Sequence, residues 1–295
     1  MNTAKTNWKS PLLLLLAAII WGVAFVAQSA GMDYVGPFTF NGVRSFLGAL
    51  VLVPFILAGE NKKSPEQKAQ ENSKTLWTAG ILCGVCLCAA SSLQQIGIQY
   101  TTAGKAGFLT ALYIVLVPVF GRFLGQKCSA YVGISIALAT VGLYLLSIKE
   151  GFQIGAGDFY VMLCAVVFSV HILVINHVAP KCDGVKLSAV QFLVCGIICT
   201  VIAFATESPQ TGQIMAAWLP IGYAGVLSCG VGYTLQIIGQ KGMNPTVASL
   251  ILSLESVVSV LAGWILLHEA LSARELFGCV LMFAAIILAQ LPGRK

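Results

Sequence analysis

Arg44 and Glu255 lie inside long apolar stretches, whereas nearly all other charged side chains of this 295-residue sequence fall between such stretches or at their ends. Glu255 stands ten residues past Pro245, about 15 Å along a helix and so near the middle of a bilayer. Arg44 stands seven past Pro37, about 10 Å from the helix start. A charge near the bilayer centre costs about 2.5–3.5 kcal/mol on insertion scales, so it is expected to face a partner or a cavity. Arg44 offers a fixed positive charge to a carboxylate. Glu255 offers a partner for an amine, or a group that takes up and releases protons as a coupling site. The plainer alternatives are that Arg44 caps carbonyls or pairs with a neighbouring helix, and that Glu255 is protonated and hydrogen-bonded.

Uncharged hydrogen-bonding groups form a second tier: Asn41, Gln94, Gln95, Gln99, His171, Gln191, Gln236 and Gln240. Tyr233, Gln236 and Gln240 follow helical spacing and make one polar stripe. Such groups can bind a solute adaptably, or can simply join helices at about 0.6 kcal/mol each. A lone buried histidine such as His171 is more often a satisfied core residue than a proton carrier. Trp21, Tyr113 and Tyr233 could stack on a bound molecule, or pack and anchor as aromatics in membrane helices ordinarily do. Among ten cysteines, Cys83-x-x-Cys86 has redox-motif spacing but no histidine beside it. Cys88, Cys164, Cys195, Cys199, Cys229 and Cys279 are also embedded in apolar stretches, while Cys128 and Cys182 fall in turns. They read as small polarisable core residues, and neither a metal site nor a cofactor is expected.

The elements that must position these groups are membrane helices. The chain is 58% hydrophobic and 9% charged, with a mean hydropathy of +0.88, which excludes a soluble globular protein of this length. Ten apolar stretches of spanning length occur, at about 11–30, 38–58, 76–100, 103–122, 130–148, 157–177, 187–206, 214–239, 245–267 and 274–291. Backbone groups in hydrocarbon must be satisfied within each segment, and the short alternating segments of a β-barrel are missing. The halves also repeat. Leu93-Gln94-Gln95-Ile96-Gly97 returns 142 residues later as Leu235-Gln236-Ile237-Ile238-Gly239, and at that offset Tyr113 falls on Glu255. Nearer the ends the offset is 147, with Trp21 on Phe168 and Arg44 on Gln191. The expected fold is therefore all-α and integral to the membrane, with ten transmembrane helices as two five-helix repeats, residues 1–148 (including a loop over 59–75) and 149–295. An odd number of spans per half forces the repeats to be inverted. Duplicated helices with amides at matching depths are the plan of a transporter.

Charge orients the chain. With the N-terminus inside, Lys5, Lys9, Lys62, Lys63, Lys68, Lys74, Arg122, Lys127, Lys181, Lys186, Lys241, Arg294 and Lys295 face the cytoplasm. Only Lys105, Lys149 and Arg274 fall outside, 13 against 3, so both termini are expected in the cytoplasm. The net charge of +6 thus reports topology, not nucleic-acid binding. Lys5 and Lys9 before an apolar run resemble a signal peptide, but that run exceeds a typical h-region, and Trp21 and Gln28 would be unusual in one. The stretch from Glu60 to Lys74 reads as a flexible cytoplasmic linker. No loop could hold a nucleotide-binding domain, and no GxxxxGK[ST] occurs, so an ATP-binding subunit is not implied. His268-Glu269 begins a metalloprotease pattern that Ser272 ends, and no enzyme activity is indicated. Asn244 is a candidate N-cap with Pro245 at the first helical position.

Several segments in order carry a family likeness: Ala18-Ile19-Ile20-Trp21-Gly22, Phe40-Asn41-Gly42-Val43-Arg44, the run from Gln99 to Leu109 with Val117-Pro118, Ala248-Ser249-Leu250, Leu254-Glu255-Ser256, and Gly263-Trp264 through His268-Glu269. With the five-plus-five repeat, the chain resembles the drug/metabolite transporter superfamily, specifically the EamA-type proteins with ten helices, over essentially its whole length. The resemblance implies a plasma (inner) membrane carrier, often an exporter of amino acids or other small metabolites, with a central cavity between the halves. Two departures stand out. Ser256 occupies a position where the family often has proline, which removes one expected source of a bend in helix nine. Gln126 stands where an acid is common, so any role for the corresponding loop acid is confined to Glu269. The expected partners are a small-molecule substrate, the lipid bilayer and, through Glu255, protons. Helices one to four and six to nine are expected to line the site, with five and ten peripheral. Two other readings are a broad exporter of drugs or lipophilic cations, which needs Glu255 but tolerates loss of Arg44, and a membrane sensor or assembly protein, for which the sequence holds no extramembrane domain.

Overall fold

The computed structural model describes residues 8–64, 66, 72–126, 129–147, 155–266 and 272–289. No strand occurs among the described residues. In chain order the helices are α1 (Lys9–Gly31), α2 (Pro37–Lys62), α3 (Ser73–Ile98), α4 (Ala103–Phe123), α5 (Ala130–Ser147), α6 (Ala156–Val178), α7 (Gly184–Thr206), α8 (Trp218–Gln240), α9 (Pro245–Leu252 and Leu254–Leu266) and α10 (Ala273–Ala289). Among the described residues eight are long and apolar enough to cross a membrane, which leaves out α5 and α10. The apolar part of α5, Ala130–Leu145, is shorter, and α10 has 17 residues. Those two stand where the fifth and tenth spans are expected. His268, Glu269, Cys128 and, within the linker between Glu60 and Lys74, residues 65 and 67–71 lie outside the described residues.

Local chemistry explains the helix starts. Asn72, Thr102, Asp183 and Asn244 each accept a backbone N–H in the first turn of α3, α4, α7 and α9, with Pro245 directly after its cap. The first turn of α2 is capped from afar, because both carboxylate oxygens of Glu207, past the end of α7, accept from Phe38 N and Thr39 N at 2.8 Å. Three helices are irregular. α4 is interrupted at Leu112 and α9 at Ser253. The break in α9 needs no proline: Ser249, Ser253 and Ser256 hydroxyls donate back to carbonyls three residues earlier and compete with the helical ladder. In α8 the stretch Tyr223–Tyr233 opens to the wider π-helical turn, an arrangement frequent at functional sites.

Helix pairing repeats itself. α2 packs on α7 and α5 on α10; α1 meets α8 and α9 as α6 meets α3 and α4, and α2 meets α8 as α7 meets α3. Exchanging each helix with the one five places along leaves this pattern unchanged. α2 and α7 run antiparallel. Glu207 ties the end of α7 to the start of α2, while Lys63–Asp183 (3.2 Å) and Lys186–Glu60 (2.8 Å) tie the opposite ends together. Burial works against the Asp183 carboxylate, but the backbone N–H groups of Lys186 and Val185 and the Lys63 ammonium outweigh it and hold its pKa below the usual value. Arg274, at the start of α10, likewise sits over the Tyr144 ring near the end of α5. Close approach of α1 to α9 depends on Gly22, where a methyl group would collide with Val258 and the Glu255 carbonyl.

Candidate functional site

A cavity of about 30 Å³ lies between the helices, room for a water or two but not for a metabolite. The interruptions of α4 and α9 meet there. Tyr113, the first residue past one break, donates its hydroxyl to Glu255 Oε1, two residues past the other, at 2.8 Å. These are the residues that coincide at the 142-residue offset, so two repeat mates touch across the approximate two-fold axis. Further mates line the same wall: Trp21 with Phe168, Phe25 with Ile172, and Gln94 with Gln236. The positions are paired, but the chemistry differs.

Arg44 enters from α2, buried to 5% exposure. It donates to Gln28 Oε1 on α1 at 2.8 Å, and its guanidinium stacks over Phe40 at 5.5 Å. The Trp21 and Tyr233 rings lie 4.5 Å apart, and Trp21 Nε1 donates to the Ser228 carbonyl of the widened turn of α8 at 3.4 Å. Gln94 donates to Thr110 Oγ1 at 3.0 Å. A fixed cation, a carboxyl, two phenols and several amides thus share one small chamber.

Seven of the sequence candidates reach this cavity: Trp21, Arg44, Gln94, Tyr113, Tyr233, Gln236 and Glu255. Asn41, Gln95, His171, Gln191 and Gln240 do not. His171 Nε2 and Gln191 Oε1 lie 3.2 Å apart and join α6 to α7, much as Arg44 and Gln28 join α2 to α1. α7 therefore contributes nothing to the wall, contrary to the expectation that helices one to four and six to nine all would. The expected stripe also splits, since Gln240 points away from Tyr233 and Gln236 and donates to the Ile172 carbonyl at 3.3 Å. Gln95 likewise donates to the Gln28 carbonyl at 3.0 Å, and the buried Asn41 amide has no partner among the described residues. Gln28, Thr110 and Ser228 were not anticipated in the site. A signal existed for two: Gln28 lies two turns from Trp21, and Thr110 one turn from Tyr113, each on the same helix face.

A polytopic α-helical membrane protein whose two halves both line one internal cavity has the plan of a transporter. The EamA-like transporter family model matches residues 8–148 and again 155–291, and the chain belongs to that family. An uncharacterized transporter of Archaeoglobus fulgidus is 30% identical over 280 residues, 94% of this chain and 84% of that protein. The uncharacterized transporter YoaV of Bacillus subtilis is 24% identical over 93% of this chain and 94% of its own length. The WAT1-related protein At3g02690, chloroplastic, of Arabidopsis thaliana is 21% identical over 95% of this chain and 69% of its own. A solved crystal structure shares the fold with a TM-score of 0.78 at 19% identity, covering 97% of both chains.

Proposed function

We propose that this protein is a secondary transporter, an exporter of amino acids or related small metabolites, working by alternating access between two inverted repeats in the plasma membrane with both termini cytoplasmic. The observation that carries the reading is the Tyr113–Glu255 hydrogen bond between repeat mates, in a cavity that Arg44 also enters. A contact on the axis of two antiparallel halves is the place a rocking motion must pivot around. The cavity is too small for a metabolite, so the halves must part to admit solute from either side. Arg44 binds the carboxylate; Glu255 takes the amine or couples movement to protons. Topology is checked by reporter fusions: after Lys74 and Lys186 they report cytoplasm, and after Gly151 and Ser208 the outer side. The function is tested by an untargeted comparison of metabolites retained by cells with and without the protein. A small set bearing amine and carboxylate groups should be depleted from producing cells. Depletion confined to lipophilic cations would favour the drug-exporter reading, and no difference would reject export.

A further inference from the structure

Away from the cavity floor, three thiols that are far apart in sequence converge. Cys88 on α3 lies 3.5 Å (Sγ to Sγ) from Cys199 on α7, and Cys195, one turn before Cys199, lies 4.0 Å from it. All three sulfurs fall within 4.8 Å of one another and all three residues are buried. These separations exceed the ~2.05 Å of a disulfide bond, and the thiols are free. They match three sulfurs sharing one ion. With a metal–sulfur bond of ~2.3 Å, such sulfurs stand about 3.8 Å apart at tetrahedral angles and about 4.0 Å in a plane.

We propose that Cys88, Cys195 and Cys199 form a three-thiol site for a soft metal ion, Cu(I) above all. Thiolates select soft ions, and a group of three sulfurs that among the described residues includes no carboxylate or imidazole suits Cu(I) better than zinc, which takes four ligands. The surroundings are polar for a membrane core. Ser45 donates to Cys195 Sγ at 3.5 Å, and Ser91 and Ser92 hydroxyls lie 3.9 Å from Cys195 Sγ and 3.7 Å from Cys199 Sγ. Cu(I) held by three thiolates releases three protons and leaves a net charge of −2, which the Arg44 guanidinium, within electrostatic range of Cys195, offsets in part. Ser45 follows Arg44 directly on α2, so the thiols lie one residue along that helix from a cavity-lining position. A bound ion would staple α3 to α7.

The probe is Cu(I) itself, delivered anaerobically from a chromogenic chelator to the purified, reduced full-length protein. One equivalent per chain should transfer. The C195S/C199S variant should lose at least tenfold in affinity, and the C83S/C86S control should keep it. Equal transfer to C195S/C199S and wild type, or none to either, overturns the proposal. X-ray absorption on the loaded wild type needs no variant and guards against misfolding: three sulfur neighbours are expected, and a shell of nitrogen or oxygen rejects the site.

Discussion

The two halves present equivalent backbone positions to the cavity but unlike side chains. From the first half come Arg44 and the Tyr113 phenol; at the mate positions the second half has Gln191, turned away toward His171, and Glu255. The ends differ as well. Lys105 at the start of α4 pairs with the buried Asp158 at the start of α6 at 2.6 Å, and Thr101 adds a hydrogen bond at 2.8 Å. The repeat mates of Lys105 and Asp158 are Val247 and Pro11, which cannot form an ion pair. Duplication thus supplies a symmetric frame, while divergence gives the chamber a positive and an acidic side and, on the proposed mechanism, makes the Lys105–Asp158 pair a latch at one end.

The largest expected effect separates Arg44 from its mate. A hydrogen bond to a charged group is worth about 1.5–3 kcal/mol, so Arg44→Gln should lower transport of a carboxylate substrate by about 10- to 100-fold at equal membrane abundance. Gln191→Ala, at the mate position outside the cavity, should change it by no more than about threefold, the scale of an ordinary interhelical bond. If Arg44→Gln instead lowers abundance and leaves activity per molecule intact, Arg44 holds helices and the halves do not differ in binding.

The second effect concerns the latch. Lys105→Met leaves the Asp158 carboxylate without its cation and should loosen the end that carries the starts of α4 and α6. Ala24→Cys in the cavity wall should then react about 5- to 10-fold faster with an impermeant thiol reagent added outside. Val247→Met at the mate position should leave that rate alone. Equal rates in the Lys105→Met and Val247→Met proteins would mean that the ion pair is not a latch.

The smallest effect lies at the other end of α2. Because the folded Asp183 carboxyl titrates below its unfolded value, the stability it confers is complete above about pH 4 and is lost as pH falls through the lower folded value. Thermal stability of Asp183→Asn should therefore differ from wild type at neutral pH and converge with it in strong acid. A difference that persists unchanged into acid would show that the Lys63–Asp183 tie contributes nothing.

Depth along each helix was legible in the sequence, and rotation about its axis was not. Glu255 and Arg44 could be placed by counting from Pro245 and Pro37, and the offset that puts Tyr113 on Glu255 is a property of the sequence alone. Asn41, Gln95 and Gln240 are amides within apolar helices, which the sequence shows, but they do not line the cavity. Helices that are apolar nearly all round, such as α3 and α7, carry little amphipathic signal to say which side faces inward. The widened turn of α8 and the Cys88–Cys195–Cys199 cluster were hidden for another reason. Both depend on how helices pack, and in α3 and α7 the thiols look like any small core residues until the two helices are side by side.

The role of the axial pair is tested most directly by Glu255→Gln in liposomes with an imposed pH gradient, using a metabolite found by the cell comparison. Glutamine keeps a hydrogen-bonding partner for the Tyr113 hydroxyl but cannot exchange a proton. Substrate-for-substrate exchange should persist while net transport no longer responds to the gradient. Full gradient-driven transport by Glu255→Gln would refute proton coupling at this residue, and loss of exchange as well would make Glu255 a substrate ligand or a structural tie.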